Sequence, residues 1–249
     1  VREMIAKNNA KKGGASDKIV PIILGIISAI SILTTIAILF TLLTETITFF
    51  TRVPFSKFFL TGTWNPTGSN PEYGIWALII GTLKITFIAT IVSVPIGLGA
   101  AIYLNEYASD RTRRIIKPIL EILAGIPTIV FGFFALTFVT PILRSIIPGL
   151  GEFNSISPGI VVGIMIVPII TSLSEDAMSS VPNKIREGAF GLGATKFEVA
   201  TKVVLPAATS GVVASIVLGV SRAIGETMIV SLAAGSTPTS SLSLTLSLI

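Results

Sequence analysis

Long apolar stretches alternate with short polar segments along the chain, in the pattern of a helical membrane protein. A helix needs about 20 mainly apolar residues to cross a hydrocarbon core roughly 30 Å thick. Stretches of about this length occur at residues 19–43, 75–104, 118–143, 156–173 and 207–234. We therefore predict an all-α, polytopic transmembrane helical bundle with five spans.

The two ends of the chain differ from this pattern. Residues 1–18 are polar and basic around a Gly-Gly pair, which predicts a cytoplasmic tail, and the span that follows is too long for a removable signal peptide. Residues 235–249 are rich in Ser and Thr, and an apolar pattern restarts there, so we expect a sixth span to follow. Residues 19–249 then form one transmembrane domain with an extracytoplasmic loop at 45–74 and a cytoplasmic loop at 174–205.

Basic residues indicate the orientation of the spans. Thirteen of the 18 Lys and Arg residues lie in segments 1–18, 105–117 and 174–205, whereas the alternate loops hold three. Because short basic loops stay on the cytoplasmic side, the N-terminus is predicted to be cytoplasmic, in a multi-pass protein of the cell (inner) membrane.

Composition narrows the function classes. Half of the residues (51%) are hydrophobic, 12% are charged and the mean hydropathy is +0.86, so the chain needs lipid around it. The absence of Cys and His removes thiolate and imidazole chemistry, and we expect neither a catalytic nor a metal site. The basic pI of 9.6 reflects the basic residues of the predicted cytoplasmic segments, so it does not indicate nucleic-acid binding. The phosphate-binding pattern G-x-x-x-x-G-K-[ST] is absent, so another chain must hydrolyse any ATP.

The predicted cytoplasmic loop carries its own helix signals. Pro182 suits a first helical turn, Gly193 suits a left-handed C-terminal stop, and Thr195 with Glu198 forms a capping-box pattern. The segment is therefore predicted to fold as a helix, a sharp turn and a second helix.

The same loop resembles the "EAA" loop of ABC-importer permeases, with the pattern E-A-A-x3-G-x9-I-x-L-P. The matching residues are Glu187, Gly188, Ala189, Gly193, Leu205 and Pro206. Gly188 replaces an alanine of the pattern and Val203 replaces its isoleucine. The resemblance implies the ABC importer permease fold, with a coupling helix that sits in a groove of a cytoplasmic ATPase. An ordinary amphipathic linker is the alternative.

Further stretches resemble phosphate-importer permeases, and within them the PstC subunit rather than its PstA partner. They include Trp64-Asn-Pro, Ala101-Ile-Tyr-Leu-Asn-Glu-Tyr107, Glu121-Ile-Leu-Ala-Gly-Ile-Pro127 and Gly225-Glu-Thr-Met228. The resemblance implies a permease subunit of an ATP-driven phosphate importer. Its expected partners are a PstA-like permease, a cytoplasmic ATPase homodimer that uses the ATP, an extracytoplasmic phosphate-binding protein and membrane lipid. No cofactor bound by this chain is expected.

Charges inside the predicted spans indicate a substrate path. Arg222 lies well inside the fifth span, where an unpaired charge is costly, and Glu226 follows at i+4, where the two could pair. A guanidinium can bind phosphate oxygens through two parallel hydrogen bonds, so we predict a phosphate contact at Arg222. Glu226, which could hold Arg222 in place or accept a hydrogen bond from protonated phosphate, is a second candidate for the path, and Thr82 and Lys84 are further candidates. A packing ion pair, and a Lys84 that reaches the outer interface, are the structural alternatives.

Other functions remain open at this stage. A self-sufficient secondary transporter or channel would also place polar groups at the midplane, but it does not explain the loop pattern. A second role in signalling, or a permease for another anion or solute, fits the same motifs. In the fifth span the small residues Gly211, Ser215, Gly219 and Ala223 recur every four positions, which predicts close helix packing.

Overall fold

The computed structural model describes residues 15–66, 68 and 70–235. Most of the predicted basic tail, and the segment 236–249 before the expected sixth span, lie outside the described residues. The first helix, α1, covers Ala15–Arg52 and continues past the predicted end of the span at residue 43. Its threonine hydroxyls donate to carbonyl oxygens one turn earlier, as Thr48 Oγ1 does to Thr44 O, so the helix itself satisfies them.

A short helix and a two-stranded sheet follow α1. Helix α2 covers Phe55–Leu60, and strands β1 (Trp64–Asn65) and β2 (Glu72–Tyr73) pair antiparallel. The Trp64 and Tyr73 rings face each other across this sheet with centroids 6.0 Å apart. The loop predicted at 45–74 begins later than expected, because α1 continues to Arg52.

The next five helices form most of the bundle. They are α3 (Ile75–Ile102), α4 (Asp110–Ala124), α5 (Thr128–Phe134), α6 (Thr140–Ile146) and α7 (Ile156–Ser179). Helix α3 continues into a π-helical turn at Tyr103–Tyr107. A second π-helical turn, Ala135–Val139, joins α5 to α6. The last helices are α8 (Asn183–Gly191), α9 (Lys196–Glu198), a π-helical turn (Val199–Val204), α10 (Leu205–Ala207), α11 (Thr209–Ile224) and α12 (Met228–Ala233).

Within the described part of the chain, four stretches are long and apolar enough to cross a membrane. They are Ile19–Arg52, Ile75–Tyr107, Thr128–Ile146 and Ile156–Ser179, and the bent pair formed by Lys196–Ala207 and Thr209–Ile224 would make a fifth. The prediction of a polytopic helical membrane protein is therefore confirmed.

The predicted third span, 118–143, begins too early. Residues 118–124 belong to the amphipathic helix α4, whose first turn is capped by Ser109 Oγ accepting from Thr112 N at 3.2 Å. The helix ends before Gly125-Ile126-Pro127, since the residue before a proline disfavours helical backbone. The membrane helix starts only at Thr128 and reaches Ile146.

Helix α7 is the centre of the bundle and packs against α3 and α11. Its buried side chains include Val161, Val162 and Ile166, all fully shielded from solvent. Glycine makes the contact with α3 close: a Cβ atom added at Gly163 would lie 3.0 Å from the carbonyl oxygen of Ala89. A larger residue there would push the two helices apart.

The predicted small-residue stripe on α11 is the contact with α7. A Cβ atom at Gly211 would lie 2.4 Å from Ala177 Cβ, and one at Gly219 would lie 2.9 Å from the Ile170 side chain. The remaining two stripe residues, Ser215 and Ala223, are buried. The prediction that this stripe serves close packing is confirmed.

The predicted fifth span, 207–234, is not one continuous helix. It is interrupted at Ala208, where the helix axes on either side differ by 77°, and again at Gly225-Glu226-Thr227. Pro206 contributes to the first break because its ring leaves no backbone N–H to donate. The second break separates Arg222 from Glu226.

Candidate functional site

A cavity of about 650 Å³ lies between α3 and α11. Its lining consists of Ile80, Leu83, Lys84, Thr86, Phe87, Thr90 and Val220. Most of this lining is apolar, and its polar groups are on α3. Lys84 is 9% exposed and Thr86 is 6% exposed, so both side chains belong to the interior of the groove rather than to its rim.

The hydroxyl of Thr86 is the unusual group of this cavity. Its Oγ1 is buried and has no hydrogen-bond partner, whereas the neighbouring Thr90 Oγ1 donates to Thr86 O at 2.7 Å. A buried hydroxyl without a partner is unfavourable by about 1–3 kcal/mol, so this group contributes nothing to stability in the structure.

The predicted site residues Lys84 and Thr82 are separated by the structure. Lys84 lines the cavity, but Thr82 does not, and its hydroxyl donates to Leu78 O at 3.0 Å within α3. Residues two positions apart in a helix point in directions about 200° apart around its axis, which explains why only one of these side chains lines the cavity.

The predicted local pair of Arg222 and Glu226 is wrong. Helix α11 ends at Ile224, so the i+4 geometry does not exist there. Glu226 Oε1 instead accepts from Met228 N at 3.2 Å and Ile229 N at 3.4 Å, where it caps α12.

Arg222 is exposed in the last turn of α11. The negative end of a helix dipole favours a cation at this position. Among the described residues, no carboxylate or carbonyl oxygen hydrogen-bonds or ion-pairs with its guanidinium. The guanidinium therefore keeps all of its donors available for an anion.

The predicted helix–turn–helix in the coupling loop is confirmed in detail. Gly193 has φ +85°, its N–H donates to Phe190 O at 2.9 Å, and Ala194 N donates to Ala189 O at 3.2 Å. This pair of bonds is a Schellman stop, which glycine adopts without strain. Thr195 and Glu198 form the predicted capping box at the start of α9.

The six loop residues named from the sequence have different surroundings. Glu187 and Gly188 are exposed on α8, and Ala189 is half-buried. Leu205 and Pro206 form α10, immediately before the 77° bend. The loop itself is shorter than the predicted 174–205, because α7 continues to Ser179.

An apolar surface on this loop was not predicted from the sequence. Its members are Ile185, Phe190, Leu192 and Phe197, which are between 41% and 91% exposed. Exposed apolar side chains grouped on a charged loop are typical of a protein contact. Their apolar character within an otherwise polar segment is the signal that could have revealed this surface.

A buried carboxylate marks the end of α7 nearest this loop. Glu175 is 1% exposed, and its carboxylate pairs with the Lys117 ammonium and lies 3.6 Å from Arg113 Nε. The Lys117 ammonium donates to the carboxylates of Glu175 and Asp176, and these hydrogen bonds raise the pKa of Lys117 above its ordinary value. Lys117 therefore stays protonated and joins α4 to α7.

Comparison with known proteins finds similarity over most of the chain. Residues 93–249 match the family described as binding-protein-dependent transport system inner membrane component. The chain is 39% identical over 175 residues to the probable ABC transporter permease protein YqgH of Bacillus subtilis, covering 70% of this chain and 56% of that protein. It is 38% identical over 191 residues to the phosphate transport system permease protein PstC of Pasteurella multocida, covering 69% and 59%.

The predicted resemblance to PstC-type permeases is thereby confirmed. The chain spans about three fifths of the length of the curated relatives it matches. Among solved structures, the inward-facing MetNI methionine ABC transporter has a similar fold, with a TM-score of 0.51 and 23% identity over 61% of this chain and 71% of that one. The predicted importer-permease fold is also confirmed.

Proposed function

The chain belongs to the family of inner membrane components of binding-protein-dependent transport systems, and we propose that it is a PstC-type permease subunit of an ATP-driven phosphate importer. The observation that carries the choice of an anion is Arg222, whose exposed guanidinium has no acidic partner among the described residues. Relatives named PstC phosphate permeases, 34–38% identical to this chain, support phosphate as that anion.

Arg222 and the cavity between α3 and α11 act on the substrate in different ways. The guanidinium binds two phosphate oxygens at once, which holds the anion in one orientation. Val220 lines the cavity two positions before Arg222, about 200° away around the helix axis, so Arg222 and the cavity are on different faces of α11 near its C-terminal end. Lys84 and Thr86 then offer a cation and a hydroxyl donor on α3, while Glu226 caps α12 and keeps the 225–227 break in shape.

The groove is completed by a second chain. We propose that a PstA-like permease covers the open side of the cavity and that the path runs between the two subunits. An extracytoplasmic phosphate-binding protein delivers the substrate, and the N-terminus of this chain lies in the cytoplasm.

The coupling loop takes the motion of a cytoplasmic ATPase homodimer. Glu187, Gly188 and Ala189 lie on α8, and Gly193 fixes the sharp turn that presents Leu192 to a partner surface. Hydrolysis of ATP occurs in the ATPase, so this chain binds no cofactor and contributes the path and the coupling contact.

Reconstitution of the full-length subunit with its partners in vesicles tests the proposal. Phosphate uptake is measured with and without ATP, for the wild type and for Arg222→Gln and Arg222→Lys. We expect ATP-dependent uptake in the wild type, a severalfold loss in Arg222→Gln and partial activity in Arg222→Lys, which keeps the charge but not the planar fork.

Arg144→Gln is the matched control, because it removes another exposed arginine, from α6. Uptake of phosphate by the purified subunit alone would contradict the importer assignment and favour a secondary transporter. Equal uptake in the wild type and Arg222→Gln would remove Arg222 from the path. ATP-dependent uptake of a different solute, with none of phosphate, would reject phosphate as the substrate.

A further inference from the structure

Arg186 of α8 hydrogen-bonds with two other elements of the bundle. Its Nη2 donates to Met178 O at 2.7 Å and its Nη1 to Val181 O at 2.6 Å, at the end of α7. Its Nε donates to Glu106 Oε1 at 3.2 Å, in the π-helical turn that ends α3. One guanidinium therefore joins α8 to both α3 and α7.

The Arg186–Glu106 ion pair is shielded from solvent. The Arg186 side chain is 14% exposed and that of Glu106 is 7% exposed. In contrast, the other ion pair of this loop, Lys202–Glu198, is 72% and 41% exposed. A shielded, multiply hydrogen-bonded arginine holds a fixed geometry, whereas an exposed lysine pair contributes little.

The turn that Arg186 contacts is also held from a second side. Arg113 of α4 donates to Leu104 O at 2.8 Å and to Asn105 O at 3.1 Å. These carbonyls lie in the π-helical turn, where the ordinary helical acceptor pattern is displaced. The turn at residues 104–106 thus connects α3, α4 and α8.

Helix α8 has no buried residue of its own, so its packing against the bundle is weak. It covers only nine residues, too few to be stable in isolation. Specific bonds therefore hold α8 in place, and Arg186 supplies three of them, to Glu106, Val181 and Met178.

We propose that Arg186 and the 104–106 turn form a transmission joint, through which displacement of the coupling helix moves α3 and α7 together. This inference rests on the proposed function, because it assumes that an ATPase pushes α8. Arg186 is a positioning residue in this scheme and does not contact the substrate. The joint connects the coupling loop to α3, the helix that carries Lys84 and Thr86.

The ratio of ATP hydrolysed to phosphate imported tests the joint. Arg186→Gln, Arg186→Lys and Glu106→Gln are compared with the wild type in the full reconstituted complex, and Lys202→Gln is the matched control. We expect the ratio to rise severalfold in the three joint variants, with the ATPase still bound, and to stay unchanged in the control. A fall of uptake and hydrolysis in proportion, leaving the ratio unchanged, would overturn the joint and indicate a structural role.

A distance measurement separates this inference from the identity of the substrate. The chain has no native cysteine, so spin labels can be placed at Lys184→Cys on α8 and Tyr103→Cys on the π-helical turn. In the full complex with ATP, we expect one narrow distance distribution, and a broad one after Arg186→Gln. Identical distributions in the two backgrounds would overturn the joint even if phosphate is imported. Absence of phosphate uptake with the expected distributions would reject only the substrate.

Discussion

The hydroxyls of Ser174 and Ser215 lie 2.6 Å apart between α7 and α11, and the bond between them has a direction. Ser215 Oγ also lies 2.8 Å from Val212 O, an acceptor that requires the single Ser215 proton. Ser174 must therefore donate to Ser215. Both side chains are buried, so the two serines join the helices by a bond that water does not weaken.

This direction predicts unequal effects of two substitutions. Ser215→Ala leaves the buried Ser174 hydroxyl without its acceptor and is expected to destabilise the protein by about 1 kcal/mol. Ser174→Ala leaves Ser215 bonded to Val212 and should have a smaller effect. Thermal unfolding in detergent checks the order, and equal midpoints for the two variants would contradict the assigned donor.

Two helical glycines, one packed and one open, should respond in opposite ways to alanine. Gly211→Ala places a Cβ atom 2.4 Å from Ala177 Cβ, which cannot rotate away, so we expect destabilisation of about 2 kcal/mol. Gly188 in α8 has open space around a new Cβ atom, and Gly188→Ala should stabilise that helix by about 1 kcal/mol. Thermal unfolding measures the first effect, and hydrogen exchange of the α8 amides measures the second. Faster exchange in Gly188→Ala would contradict the expected gain.

The turn after α8 depends on the backbone of Gly193. An added Cβ atom meets nothing within 4 Å there, so the effect of Gly193→Ala comes from the φ of +85° and is about 1 kcal/mol. We expect faster hydrogen exchange at Ala194 and weaker binding of the ATPase. Gly193→Asn should be milder, because asparagine tolerates left-handed backbone. If alanine and asparagine have the same effect, backbone strain is not the cause.

Removing the unpartnered hydroxyl of Thr86 should affect phosphate transport without lowering the stability of the protein. Thr86→Val removes a buried group that has no partner, so the unfolding temperature should stay the same or rise. Phosphate uptake should fall, since the hydroxyl is proposed to donate to the anion. Thr82→Val is the control, because that hydroxyl donates to Leu78 O outside the cavity lining. Equal losses of uptake in both variants would reject the role of Thr86.

Local signals in the sequence predict local structure well in this chain. The stop at Gly193 and the capping box of Thr195 and Glu198 form as predicted, because each depends on residues three or four positions apart. The four-residue spacing from Gly211 to Gly219 likewise identifies the packed face of α11. Hydropathy also finds the membrane helices, since each must be apolar along its length.

The features that the sequence did not reveal depend on breaks within apolar stretches. Only the end of α4, residues 118–124, is mainly apolar like the span that follows, so hydropathy joined the two and the interruption before Thr128 was missed. The prediction that Arg222 and Glu226 pair assumed an unbroken helix, and the break at residues 225–227 removes that geometry. The contact of Arg186 with Glu106 joins residues 80 positions apart, which no local pattern encodes.

The capping of α12 by Glu226 has an electrostatic consequence. The Glu226 carboxylate accepts hydrogen bonds from two backbone N–H groups, which stabilise its negative charge and leave it a weaker site for a cation. The uncompensated positive charge of Arg222 repels the same cation and attracts any anion. In the path that we propose, discrimination by sign of charge would therefore precede any recognition of shape, and it would persist in a variant that had lost its preference for one anion over another.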